Sequence, residues 1–131
     1  MTILDAISRT DSFTPNLIDL SEKLRWLSTL DGLIRTEIID THEGGDQKPF
    51  TGYDRNTDMQ TELIVCAPYD SLYLYWLESQ IHYANTEHEK YNNSIAMFNT
   101  AYSAYERYYN RTHIPKTVKM KYFHPVFKIR K

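Results

Sequence analysis

Cysteine is almost missing from this chain: Cys66 stands alone among 131 residues. No internal disulfide can form, and the composition suits a reducing compartment or an assembly that never needs oxidation. A lone thiol of this kind is expected to be a small buried apolar residue. Glycine is as scarce, with four residues, and Gly44, Gly45 and Gly52 form neither a phosphate-binding loop nor a dinucleotide fingerprint, both of which need more glycines at fixed places. There is no GxSxG elbow for a nucleophilic serine and no local context that would activate Cys66. No apolar stretch approaches the length of a membrane span. The first eleven residues carry Asp5 early and lack an apolar run followed by a small-residue cleavage site, which argues against a signal peptide. Without secretion the sequons Asn92-Asn93-Ser94 and Asn110-Arg111-Thr112 are coincidental. These absences lead us to expect a protein that is not an enzyme, with no catalytic residue, cofactor or metal site.

What is present is tyrosine and helical spacing. Eleven tyrosines contribute to a hydrophobic fraction of 41%, so the aliphatic core is small for the length and the shape is expected to be elongated. Across 74–109, Leu74, Leu77, Ile81, Ala84, His88, Tyr91, Ile95, Phe98, Tyr102, Tyr105 and Tyr109 alternate gaps of three and four, the spacing of one helical face. The pattern reads as one long helix, as two stacked nearly end to end, or as a hairpin turning at Asn92-Asn93-Ser94, which are weak helix formers. Its tyrosines present flat apolar bodies with a hydroxyl at the tip, suited to core at one end and contact surface at the other.

Earlier in the chain, residues 1–13 read as a short helix or arm. Thr14-Pro15 reads as a helix start, and Leu17, Leu20, Leu24, Leu27, Ile34 and Ile38 continue it to about Asp40, with Gly32 marking a bend or a close crossing. From 43 to 69 the helical period is lost. Phe50 and Tyr53 are expected to pin this loop, 62–66 reads as a strand ending at Ala67-Pro68, and Asp70 or Ser71 caps the next helix. A loop this long inside a compact domain is expected to have a task. The fold class predicted is therefore mainly α: an elongated helical bundle with long central helices, a long loop with a small β-hairpin, and an extended tail. Residues 1–115 form the helical domain with its inserted loop, and 116–131 a basic C-terminal arm.

Charge divides the chain unevenly. Eight of its 15 basic residues follow Glu106 and none of its 17 acidic ones does, so the first 106 residues carry −10 and the last 25 carry +8. A basic tail on an acidic body finds an acidic partner or folds back on its own or a neighbouring copy's body. The tail alternates basic and apolar residues in an extended pattern, and left free it would be an aggregation liability. Partner contacts are expected at Tyr102, Tyr105 and Tyr109 on the helix and at Lys119, Lys121, Tyr122, Phe123, Phe127, Lys128 and Arg130 on the tail. The same mixture of lysines and aromatics stacks bases and neutralises phosphates. A DNA-binding role is therefore the alternative, opposed by the acidic body.

Metal chemistry was sought at His42-Glu43, at Glu78 with His82, and at Glu87-His88-Glu89. With no HExxH or ExxH to complete a site, Glu78 and His82 are expected to be an exposed i,i+4 pair and His88 a hydrogen-bonded interface residue. Asp54, Asp58 and Glu62 are expected to be solvated.

Several stretches resemble a family of small proteins encoded among the structural genes of tailed phages and prophages of Gram-positive bacteria. They are Trp26-Leu27-Ser28-Thr29-Leu30-Asp31-Gly32, His42-Glu43-Gly44-Gly45, Glu62-Leu63-Ile64-Val65 with Pro68-Tyr69-Asp70, Ile81-His82-Tyr83-Ala84-Asn85-Thr86-Glu87, and Tyr108-Tyr109-Asn110-Arg111-Thr112-His113-Ile114-Pro115. The likeness covers roughly 28–115 and implies a virion setting. Within that setting the build resembles a head-to-tail connector, or adaptor, subunit. It would assemble in the host cytoplasm into a homo-oligomeric ring at the virion neck between portal and tail proteins, with the terminal arm gripping a neighbour, DNA passing without sequence recognition, and no membrane.

Overall fold

The computed structural model of the chain describes residues 1–44 and 49–116. These residues are mainly helical: α1 spans Ile3–Phe13, α2 Leu20–Ile34, α3 Leu72–Ala84 and α4 His88–Thr112. Among the described residues there is no β-hairpin, which the sequence leads us to expect in the loop. Residues 62–66 make only an isolated antiparallel bridge between Thr2 and Glu62: the amides of Leu63, Ile64 and Val65 go instead to the Met1 carbonyl, the Asp31 carboxylate and the Tyr73 hydroxyl.

Helix α1 begins with a reciprocal cap, the Asp5 amide donating to Thr2 Oγ1 at 3.1 Å and the Thr2 amide to Asp5 Oδ2 at 3.3 Å. Two of its first-turn amides, which no intrahelical carbonyl can satisfy, donate instead to the loop: Ile3 N–H to the Thr61 carbonyl and Leu4 N–H to that of Met59, both at 3.0 Å. Ile3, Ala6, Ile7 and Thr10 form its buried face.

Helix α2 starts five residues later than Thr14-Pro15 indicated. Asp19 is the cap, its carboxylate accepting the Ser21 amide at 3.0 Å, and Leu17 stands outside the helix, fully exposed. Leu24, Leu27, Leu30 and Ile34 are buried on one face. A π-helical turn, Arg35–Ile39, extends the helix to the expected end near Asp40. It closes with the Asp40 amide on the Arg35 carbonyl and with an Arg35–Asp40 ion pair at 2.9 Å. Gly32 marks no close helix crossing: its neighbour is the loop residue Phe50, whose ring would lie at an ordinary 3.7 Å from an added β-carbon.

The stripe at 74–109 is two antiparallel helices, and the turn lies at Asn85-Thr86-Glu87 rather than at Asn92-Asn93-Ser94. The Glu87 amide returns to the His82 carbonyl at 2.9 Å and the Thr86 amide to that of Tyr83 at 3.1 Å. This is the paired closure that ends a helix on a left-handed residue, here Thr86 at φ 56°. His82 reaches Glu87 at 2.8 Å across the turn, and the imidazole, with Lys90 behind it, holds the Glu87 carboxyl below its ordinary value. Asn92 and Asn93 lie exposed inside α4, and Ser94 is buried where α4 meets its neighbours. The expected cap at Asp70 or Ser71 falls on Ser71, which starts α3 without a side-chain hydrogen bond.

The core gathers Ile3, Ala6, Leu24, Leu27, Leu30, Ile34 and Ile38 with Leu72, Tyr73, Leu77, Phe98, Tyr105 and Tyr109, and loop residues Leu63 and Val65 complete it. Leu77, Ile81 and Phe98 of the stripe are buried as expected, and so, against expectation, are Tyr105 and Tyr109, whereas Ala84 and His88, beside the turn, are exposed. Cys66 is also exposed, a correction to its expected burial, because Leu63 and Val65 on either side of Ile64 take the inward positions.

Candidate functional site

The chemical centre of the fold is a carboxylate that sequence reading did not single out. Asp31 lies on the buried face of α2, between Leu27 and Ile34, and has no solvent exposure. A charge there is costly unless it is hydrogen-bonded. Its Oδ2 accepts the Tyr53 hydroxyl at 2.5 Å and the Ile64 amide at 3.2 Å, and its Oδ1 accepts the Tyr73 hydroxyl at 2.6 Å. The Tyr73 oxygen in turn accepts the Val65 amide at 2.8 Å. Burial raises the Asp31 carboxyl above its ordinary value, opposed by the hydrogen bonds from Tyr53, Tyr73 and Ile64. Both tyrosine hydroxyls are pushed well up, by burial first and by the Asp31 charge second. They remain protonated donors at any physiological pH.

This arrangement ties three segments of chain, α2, α3 and the loop at 53–65, through one anion. The expectation that Phe50 and Tyr53 pin the loop is met, with Asp31 as the pin for Tyr53 and Gly32 as the seat for Phe50. The Ser28 hydroxyl adds a further tie by accepting the Tyr53 amide at 3.1 Å. On the surface, Arg55 makes two hydrogen bonds to the Asp19 carboxylate, at 3.0 and 3.1 Å, and one to Ser21. Asp54 and Asp58 are solvated as expected, each accepting the amide two residues on, from Asn56 and Gln60. Glu62 sits beside the Met1 amino group at 3.2 Å.

The tyrosines named as partner contacts are placed unevenly. Tyr105 and Tyr109 are 4% and 8% exposed, so they belong to this chain's own core. That corrects the reading of the ridge as a free contact face. Tyr105 and Tyr108 pack against Tyr69, the latter stacked at 4.7 Å between ring centres. Tyr102 is half-buried and donates to Glu37 at 3.2 Å; burial, then the Glu37 charge, pushes its hydroxyl up to about 12. Lys119, Lys121, Tyr122, Phe123, Phe127, Lys128 and Arg130 lie outside the described residues.

The root of the C-terminal arm is well defined. Tyr109 is stacked on His113 at 3.7 Å and meets the edge of buried His42 at 4.9 Å. Just beyond, the Glu43 amide donates to the Ile114 carbonyl at 2.8 Å and the Lys116 amide to the Thr41 carbonyl at 3.1 Å. Residues 114–116 thus run antiparallel beside 41–43, bridged at His42 and Pro115.

None of the proposed ligand pairs converges. Glu78 accepts the Thr14 hydroxyl at 3.1 Å while His82 turns to Glu87. His42 uses Nδ1 on the Ile38 carbonyl at 2.7 Å. Among the described residues there is no cluster of three metal-ligating side chains, and no helix is long and apolar enough to cross a membrane.

No protein-family model, no curated protein and no solved structure matches the chain. Function must therefore be argued from its own residues. The signal that could have revealed Asp31 was its position, since a carboxylate four residues from Leu27 and three from Ile34 falls on the apolar face.

Proposed function

We propose that this protein is a non-enzymatic structural subunit of a tailed phage-like particle, a head-to-tail connector that forms a homo-oligomeric ring between portal and tail and grips an adjacent protein with 116–131. One observation carries the reading. The segment 116–131 carries +6 and residues 1–115 carry −8, and the root of that segment is paired with the body, 114–116 beside 41–43. A positively charged arm leaving an acidic body from a paired root is suited to reaching an acidic surface on another chain. The loop supports the same reading: it is long, has neither helix nor strand among its described residues, and is tied at Tyr53 and Ile64 to a buried carboxylate.

The experiment is a cryo-EM map of virions that contain the protein, with a parallel preparation in which 117–131 are deleted. The connector reading expects a ring of copies at the neck and loss of that ring on deletion. Location elsewhere in the particle refutes it. Salt-dependent DNA binding by the isolated protein, abolished by the same deletion, would replace it with the DNA-binding role.

A further inference from the structure

Arg25, Ser28 and Thr29 stand at i, i+3 and i+4 on one face of α2, while Leu24, Leu27 and Asp31 turn to the core. Across from them runs the turn 53–56 of the loop, and the two walls border an open cleft of about 500 Å³, a size within the range of small-ligand sites. The loop wall is held in place by this chain's own bonds. Tyr53 gives its hydroxyl to buried Asp31 and its amide to the Ser28 hydroxyl. Asp54 accepts the Asn56 amide at 2.8 Å and gives its own amide to the Thr57 hydroxyl at 2.9 Å. A wall ordered in advance lowers the cost of binding.

Two guanidiniums line the cleft, Arg25 from the helix and Arg55 from the turn. Arg55 is oriented by the Asp19 carboxylate, which accepts from Nη2 at 3.0 and 3.1 Å, and by Ser21, which accepts from Nε. Arg25 has a side chain 74% exposed, and its ion pair with Glu22 is long, at 4.0 Å. The Ser28 hydroxyl accepts the Tyr53 amide and keeps its own proton to give, and the Thr29 hydroxyl and the Asn56 side-chain amide add further donors. One carboxylate of the lining stands against these donors. Asp54 Oδ1 takes the Asn56 amide and the Thr57 hydroxyl, and among the described residues Asp54 Oδ2 and Arg55 Nη1 have no hydrogen-bond partner.

A phosphate suits the guanidiniums and hydroxyls, since its oxygens accept from planar forks and O–H donors alike. A bare anion does not suit Asp54. A ligand that carries sugar hydroxyls beside its phosphate does, because an acidic side chain accepts from such hydroxyls. We propose that the cleft between α2 and the turn 53–56 binds a small sugar phosphate, with Arg25 and Arg55 on the phosphate and Asp54 on the sugar hydroxyls. The ligand is small rather than polymeric because residues 1–115 carry −8, a charge that repels a polyanion far more than a single phosphate. The site goes beyond the connector reading and does not depend on it.

The test titrates the isotope-labelled full chain with ribose phosphorylated on its primary hydroxyl and, separately, with inorganic phosphate, following the backbone amide resonances of 21–29 and 53–57. The sugar phosphate is expected to give saturable shifts confined to those two segments, and to bind at least about tenfold more tightly than inorganic phosphate, as one added charge-assisted hydrogen bond implies. Arg25→Gln should weaken it at least about tenfold for the same reason, while Arg9→Gln, at an exposed position on α1, should leave it unchanged; unshifted amides elsewhere verify the fold of both variants. Asp54→Asn should narrow the gap between the two ligands, strengthening inorganic phosphate by removing a negative charge and weakening the sugar phosphate. The proposal is overturned if the sugar phosphate gives no saturable shifts up to about 5 mM, past the millimolar range of weak binding. It is equally overturned if Arg25→Gln binds as wild type does, if inorganic phosphate binds as tightly as the sugar phosphate, or if Asp54→Asn leaves the gap unchanged. A short DNA duplex that shifts the same amides at lower concentration than the sugar phosphate would also overturn it and assign the cleft to nucleic acid.

Discussion

Removing one oxygen atom at Tyr73 should cost far more than removing the equivalent atom at Tyr53, although both hydroxyls donate to the same carboxylate. Tyr53→Phe deletes one bond to Asp31. A hydrogen bond to a charged group contributes about 1.5–3 kcal/mol net, and Tyr53 is only partly buried, so about 1.5–2 kcal/mol is expected. Tyr73→Phe deletes the corresponding bond at 2.6 Å and also strands the Val65 amide, whose residue has no solvent exposure. A buried donor without a partner costs a further 1–3 kcal/mol or so. The expected total is about 3–5 kcal/mol, a large share of the 5–15 kcal/mol or so that holds an ordinary domain together. Urea unfolding followed by far-UV circular dichroism, with the transition slope held common to the variants, measures both changes. Equal losses for the two variants, or a loss below about 1 kcal/mol for Tyr73→Phe, would refute the account of Asp31 as the anchor of the loop.

Other substitutions report on the same fold. Thr86→Gly is expected to stabilise by about 1 kcal/mol, because a β-branched residue at φ 56° carries strain that glycine does not; a lowered urea midpoint would contradict the turn at Asn85-Thr86-Glu87. Gly32→Ala should be neutral to stabilising, by up to about 1 kcal/mol, since a β-carbon there meets the Phe50 ring only at ordinary contact distance. Gly52→Ala should destabilise by about 1–3 kcal/mol, because φ is +88° and the added carbon would stand 2.7 Å from the Ser28 oxygen that accepts the Tyr53 amide; thermal melts of the pair side by side decide this. Asp31→Asn should remove a component of stability that grows as the solution is acidified. Burial raises the folded-state carboxyl above its ordinary 3.8, so the folded chain binds that proton more readily than the unfolded one. Its contribution is therefore present below 3.8 and is lost as pH rises through the higher folded value. The difference between wild-type and variant stabilities, measured by urea unfolding from pH 3.5 to 7, should shift in the wild type's favour toward low pH. A difference independent of pH would refute it.

The helices were legible in the sequence because their spacing is local. The apolar positions of α2 and the stripe of α3 and α4 recur at three and four, and Leu24, Leu27, Leu77, Phe98 and Tyr105 among them are buried. The break at Asn85-Thr86-Glu87 was not legible, since Ile81, Ala84 and His88 keep the same spacing across it and the turn shifts no apolar residue out of phase. Thr14-Pro15 misled for a related reason. Its chemistry suits a helix start, but the Thr14 hydroxyl is spent on Glu78 and Asp19 performs the cap instead. The anchor at Asp31 lies 22 residues from Tyr53 and 42 from Tyr73, and no local pattern encodes a contact at that range.

The choice of a carboxylate at that point, rather than another leucine, has a physical logic. Between Asp40 and Ser71 the chain has no helix and no strand among its described residues, so backbone pairing ties it only at 59–63, beside the start of α1, and at 41–43, beside 114–116. Apolar contacts alone are non-directional, and a leucine at 31 would hold the loop close without specifying which residue faces it. A buried anion imposes that choice, because every donor it lacks costs more than a misplaced methyl group. Tyr53, Ile64 and Tyr73 supply the donors from two loop positions and one helix, and any slip of the loop by one residue would remove the Ile64 amide and the Tyr53 hydroxyl together. The ordering of this loop places Phe50 against Gly32. The Asp31 anchor thereby fixes the position of the described loop residues from Tyr53 to Val65 against α2 and α3.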